Sequence, residues 1–116
     1  MLKVYGLKNC DTCRKALNWL MSENIDHKFF DIRKDGFLEA DLKRWLSALG
    51  HEQLINRRGT SWGKIDPLIQ ESLNETTAAS LVLSEPALMK RPIFDDGKKV
   101  VICGFKNEQQ ETLKSL

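Results

Sequence analysis

Metal ligands are scarce in this chain. Its 116 residues include two histidines and three cysteines, whereas a closed zinc site needs four donors, usually two close-spaced pairs. His27, His51 and Cys103 stand far in sequence from one another and from Cys10 and Cys13, so no metal is expected. Three cysteines are also an odd number, and too few for the disulfide framework of a small secreted protein. Long apolar runs are missing: none approaches the roughly 20 residues of a spanning helix. The opening MLKVYGLKNC carries charge where a secretory signal has an apolar stretch. These lacks predict a cytoplasmic protein with no membrane partner, in a compartment that keeps thiols reduced. An excess of one charge is lacking too. Eighteen basic residues face 16 acidic ones, for a formal net charge of +2, and nothing in that balance argues for direct contact with nucleic acid. Without repeats, low-complexity tracts or linkers, residues 1–116 read as one domain, long enough to bury a core.

What is present is a change of hydrophobic period along the chain. Leu2, Val4 and Tyr5 form a short apolar run ending at Gly6, which predicts a buried strand. After Asn9 the period becomes helical, with Ala16, Leu17, Leu20 and Met21 on the expected apolar face. Residues 27–32 predict a second strand and Asp35-Gly36 a turn. Leu38, Leu42, Trp45, Leu46 and Leu49 trace an amphipathic helix closed at Gly50. Short helical pieces follow near 62–66, 68–73 and 77–84. Residues 92–94, the turn Asp95-Asp96-Gly97 and residues 99–102 predict a hairpin, and Asn107 an N-cap for a last helix over 108–116. A βαβ unit with the usual right-handed crossover, then ββα, is an α/β thioredoxin-like plan. Its expected parts are about 1–36 and 85–116, with a helical insertion at about 37–84.

YGLKNCDTCRKALNWL, residues 5–20, places Cys10 and Cys13 in a C-x-x-C at the turn from first strand to first helix. Helix N-termini carry unpartnered N–H groups and partial positive charge, which favour a thiolate over a thiol. Lys8, Arg14 and Lys15 add positive potential; Asp11 opposes it. A depressed pKa is therefore expected for Cys10, the attacking nucleophile. Cys13 lies one turn further in and is the candidate resolving thiol. The alternative, two cysteines packed as small apolar residues, fails mainly for Cys10, which precedes the helix between two polar neighbours. Cys103, inside VVICGF, reads as a buried strand cysteine with no role.

Two further stretches bear on the same chemistry. In KRPIF, residues 90–94, a proline before the third strand is often cis in such a plan. It would hold the Arg91 backbone near Cys10, with the guanidinium offered to an oxyanion or carboxylate. In INRRGTSW, residues 55–62, Arg57 and Arg58 before Gly59, with Thr60-Ser61 opening a helix, can form an anion-binding corner. His27 at a strand start and His51 in a loop are expected to have no catalytic role. Trp19, Trp45 and Trp62 are expected in the core or a groove.

YGLKNCDTCRKALNWL, LINRRGTSW and KRPIF with VVICGF together resemble the ArsC/Spx/YffB family, and KNCDT with NRRGTSW looks nearest its YffB branch. The resemblance runs from Leu2 to the last helix. It implies a thioredoxin-like four-stranded mixed sheet with an inserted helical subdomain, and Cys10 as the nucleophile. Arsenate reductases of the family attack arsenate with one cysteine, draw electrons from glutathione and glutaredoxin, and support the oxyanion with three arginines. Arg91 matches the arginine before the cis-proline, and Arg58, less directly Arg57, lies in the segment of another. The third should follow VVIC, where this chain has Gly104-Phe105. That departure argues against arsenate reduction and for a glutathione-dependent thiol reductase that forms a mixed disulfide on Cys10. Lys8, Asn9, Thr12, Arg58, Arg91 and Pro92 are its candidate glutathione contacts, with no cofactor bound. Spx-type regulators carry a C-x-x-C as a redox switch and bind the C-terminal domain of RNA polymerase alpha, which is the competing non-enzymatic expectation.

Overall fold

Alternation along the first strand decides which of its side chains enter the core. The computed structural model describes residues 1–116, and β1, Leu2–Gly6, buries Leu2 and Val4 on one face of the sheet while Lys3 is exposed. The helix α1, Asp11–Ser22, returns the chain to β2, His27–Asp31. After a long excursion come β3, Ile93–Asp95, and β4, Val101–Cys103. The sheet is four-stranded in the order β2-β1-β3-β4. β1 and β2 are parallel; the other two pairings are antiparallel. This is the mixed α/β sheet of a thioredoxin-like fold.

By its internal contacts the chain divides into two units, one of Met1–Gly36 with Arg91–Leu116, the other Phe37–Lys90. In the first, Leu2, Val4, Ala16, Leu20, Phe94 and Leu113 form the buried cluster. Met21, expected on the apolar face of α1, is 69% exposed. At about 100° per residue it lies roughly 140° around the helix from Ala16, whereas Leu20 lies about 40° away. The expected turn at 95–97 begins later, because Asp95 is still strand. Residues 96–100 make the connection, tied by Asp96, whose carboxylate accepts from the N–H groups of Lys98 at 2.8 Å and Val100 at 3.0 Å. The last helix, which becomes α7 in chain order, spans Asn107–Lys114, so Asn107 is its first residue and not its cap. The Gln109 side chain accepts the Lys106 N–H at 2.8 Å and fixes the start one residue early.

The second unit is helical. It contains α2, Glu39–Leu49; α3, His51–Leu54; α4, Thr60–Gly63; α5, Pro67–Glu71; α6, Glu75–Ser84; and a 3-10 turn, Pro86–Leu88. Leu42, Trp45 and Leu46 of α2 are buried, as are Ala78 and Val82 of α6. Leu38 is instead 68% exposed, since it is the extended residue before α2 and not on its face. His51 opens α3 in place of the expected loop, its ring Nδ1 2.8 Å from Glu75 Oε1. Residues 85–90, expected with the sheet, fall in this unit. Met89 pairs with Ile55 in an isolated bridge, and the Lys90 N–H donates to Leu54 O at 2.7 Å. No helix is long and apolar enough to cross a membrane.

Candidate active site

β1 ends at Gly6 and α1 starts at Asp11, so Cys10 falls at the N-cap with extended backbone, φ −94° and ψ 121°. A tight turn brings it there, closed by the Cys10 N–H donating to Leu7 O at 3.2 Å. Cys10 is half-buried. Cys13 is the third residue of α1 and only 1% exposed. None of the three cysteines is in a disulfide, and Cys103 is buried at the end of β4.

A small residue before the turn allows this packing. A Cβ on Gly6 would stand 2.5 Å from Cys13 Sγ and 3.4 Å from Phe29 Cε1, closer to the sulfur than real Cβ atoms come. The first turn of α1 therefore rests directly on the last residue of β1. That contact fixes where the nucleophile emerges.

The two sulfurs ionise in opposite directions. Burial works against the Cys10 thiolate, but it is outweighed by the Cys13 backbone N–H, the Cys13 thiol and the Arg91 guanidinium, which hold the Cys10 pKa below the ordinary 9.0. The N-cap position is where an acceptor side chain meets the N–H of the third helical residue; the sulfur makes no capping bond of regular geometry, yet that N–H still favours its ionised form. For Cys13, burial pushes the thiol up to about 12, and the neighbouring Cys10 adds to the rise. The pair thus sets a sulfur whose ionisation is favoured beside one that holds its proton. Arg14, expected to add positive potential, is turned to Asp11, their side chains 2.5 Å apart, so those two charges largely offset.

Arg91 reaches the site because the chain enters β3 beside it. The Arg91-Pro92 peptide bond is cis, Pro92 is buried, and its carbonyl accepts the Gly104 N–H at 2.9 Å. Gly104 has φ +87°, in the left-handed region where glycine is favoured. Phe105 packs edge-on against Trp19, ring centroids 5.6 Å apart. The position where the family resemblance called for a third arginine is thus filled by a turn glycine and a core aromatic. Lys8, Asn9 and Thr12 are exposed around Cys10 in sequence.

Arg57 and Arg58 belong to the Phe37–Lys90 unit. Arg57 lies over the Trp62 ring at 5.4 Å, a cation–π contact that occupies its charged face. The Arg58 N–H donates to Asn56 Oδ1 at 3.0 Å, and its side chain is exposed. No three His, Cys, Asp or Glu side chains gather as a metal site.

One residue at this site carries no signal in the sequence. Asp31, 8% exposed, ends β2 and accepts the N–H groups of Arg33 and Lys34, each at 2.9 Å. Its pKa is lowered, first by the Lys34 N–H, and the Lys8 N–H and ammonium contribute too. An aspartate two and three residues before exposed basic residues is a common turn pattern, and nothing in it points across to Lys8.

The ArsC family model matches residues 5–113. The chain is similar to a protein of Haemophilus influenzae, 42% identical over 112 residues that cover 96% of each. It is also similar to the global transcriptional regulator Spx 2 of Bacillus anthracis, 31% identical over 94% of this chain and 83% of that one. Among solved structures, that of a YffB protein superimposes with a TM-score of 0.89 at 32% identity, over 97% of this chain and 98% of the other.

Proposed function

The chain belongs to the ArsC family, and from that premise we propose that it is a cytoplasmic, glutathione-dependent thiol reductase with Cys10 as nucleophile. The observation that carries this reading is the half-buried Cys10 sulfur, favoured as a thiolate by the Cys13 N–H and thiol and by Arg91. The Cys10 thiolate attacks the glutathione sulfur of a mixed disulfide and expels the substrate thiolate, which takes a proton from water. Cys10 is left disulfide-bonded to glutathione. A free glutathione thiolate attacks the glutathione sulfur of that bond, releasing oxidised glutathione and the Cys10 thiolate, so the mixed disulfide and one free glutathione are converted to the substrate thiol and oxidised glutathione. Arg91 is the cation proposed for a glutathione carboxylate, with Lys8, Asn9, Thr12 and Pro92 as further contacts; Arg58, in the other unit, is proposed by itself as an anion contact, and glutaredoxin is a candidate partner.

The test is peptide mapping by mass spectrometry after exposure to oxidised glutathione. A glutathione adduct on Cys10, removed by reduced glutathione, supports the reading. Full turnover in Cys10→Ser would remove it.

A second reading draws on the likeness to Spx 2 and on the Cys13 thiol beside Cys10. Attack by the Cys13 sulfur on a Cys10–glutathione disulfide, with glutathione leaving as thiolate, would form a Cys10–Cys13 disulfide and make the pair a switch that controls binding to the C-terminal domain of RNA polymerase alpha. The same mapping would then find a Cys10–Cys13 disulfide, and a pull-down with that domain would be redox-dependent. Arsenate reduction is the weakest of the three, given Gly104-Phe105 where a third arginine is called for.

A further inference from the structure

Parallel strands leave a sheet at the same end, and here that end carries the nucleophile. Gly6 closes β1 and Asp31 closes β2, and the two are partners in the parallel register. The Ile32 N–H continues the pairing one step further, donating to Gly6 O at 2.9 Å. From β1 the chain passes exposed Lys8 in the turn that the Cys10 N–H closes on Leu7 O at 3.2 Å. From β2 it passes into Arg33 and Lys34, both exposed. Their backbone is anchored, because Asp31 Oδ1 accepts both N–H groups at 2.9 Å. β3 runs the other way and begins at this same end, with Ile93 opposite Tyr5, directly after Arg91 and Pro92.

Strand order then separates the cations. β1 lies between β2 and β3, so Arg91 stands on one side of the β1 end and Arg33 with Lys34 on the other. Two strand spacings, about 10 Å, lie between β2 and β3. The carboxylates on the β2 side are Asp31 and Asp35, each already accepting backbone N–H groups, and Asp11 is offset by Arg14. With Lys8 included, positive charge is in excess there. A mixed disulfide has two halves that diverge from the bond Cys10 attacks. With Arg91 taking a glutathione carboxylate, the β2 side is left for the other half. We propose that Arg33 and Lys34 attract the substrate half, and that this half is an acidic segment of polypeptide. The proposal rests on the reading of Cys10 as the nucleophile of a thiol reductase. Attraction of this kind needs no fixed contact, since exposed charges act over roughly 8–10 Å at ordinary salt.

The test uses the whole protein and two synthetic peptides, each joined through its cysteine to glutathione, one flanked by glutamates and the other by lysines. The Cys10 thiolate attacks the glutathione sulfur and the bond to the peptide breaks. The peptide thiolate leaves and takes a proton from water. Mass spectrometry follows the glutathione adduct on Cys10 in a single turnover. Glutathione is common to both probes, so its own attraction cancels in the ratio of rates, as does the thiolate fraction of Cys10. At low salt the acidic peptide should react about tenfold faster, and the ratio should fall toward one at about 0.5 M salt. Arg33→Gln with Lys34→Gln should cut the low-salt ratio by roughly threefold or more. Both side chains are exposed and their anchoring bonds are backbone, so the double variant keeps the fold. Equal rates for the two peptides, or a ratio that the double variant leaves intact, overturn the proposal while the reductase reading stands. No adduct on Cys10 from either peptide overturns that reading and the proposal with it.

Discussion

Removing the Arg91 guanidinium would leave Cys10 with burial opposing ionisation and only the Cys13 N–H and thiol favouring it. Arg91→Ala should therefore raise the Cys10 pKa and slow its alkylation at neutral pH by roughly three- to tenfold. Arg91→Lys should recover part of that loss, because it restores the charge but not the forked donors. Equal rates in all three proteins would take Arg91 out of the site. Gly6 presents a steric question. The Cβ of an alanine would sit 2.5 Å from Cys13 Sγ, and Cys13, 1% exposed, has little room to move away. Gly6→Ala should cost about 1–3 kcal/mol, the usual range for overpacking, read as a lower urea midpoint. A midpoint unchanged from the parent would mean that the β1–α1 contact yields more easily than its geometry implies.

At the scale of elements, the short helices of the insertion depend on their ends. α4 and α5 bury no residue fully, so packing alone does not account for where they start and stop. The Asp66 carboxylate accepts the Leu68 N–H at 2.8 Å and Pro67 occupies the first turn. Asn74 closes a reciprocal box, its side chain accepting from Thr76 and Thr77 while its own N–H donates to Thr77 Oγ1 at 2.8 Å. Asn74→Ala should lower stability by about 1 kcal/mol. The urea midpoint should fall with the denaturant slope unchanged, and a shift indistinguishable from zero would make the box incidental. The same contrast explains what is legible in the sequence. β1, α1, β2 and α2 can be read there because each buries a regular stripe, two- or 3.6-periodic, against a core. α3 and the 3-10 turn escape such a reading because pieces of three or four residues carry no period at all. At the site, Cys10, Arg91 and Pro92 announce themselves through local motifs. Gly6 does not, since its part depends on how closely α1 settles on the end of β1.

For the whole molecule, the direction of each shifted pKa sets how stability follows pH. Asp31, Asp96 and Glu75 all titrate below their ordinary values of 3.8, 3.8 and 4.5. Folding favours their ionised forms, so the stability they contribute is present above those values and is lost as pH falls through the lowered ones. Cys10, lowered from 9.0, acts in the same sense, contributing fully above 9.0 and losing that contribution as pH falls through its folded value. Cys13 acts oppositely. Its pKa rises from 9.0 to about 12, folding favours its neutral thiol, and that contribution is present below 9.0 and lost as pH rises toward 12. A serine at position 13 keeps a hydroxyl donor for Cys10 but has no thiol to ionise. Under reducing conditions, urea unfolding of the parent and of Cys13→Ser should therefore run parallel up to about pH 9 and diverge above it. The parent should lose roughly 1–3 kcal/mol more by about pH 11. Other alkaline titrations are shared by both proteins and cancel in the difference. Curves that stay parallel to about pH 11 would mean that the buried sulfur ionises without unfolding its surroundings. The site would then be open enough for Cys13 to serve as a nucleophile, and the balance would move toward the dithiol switch.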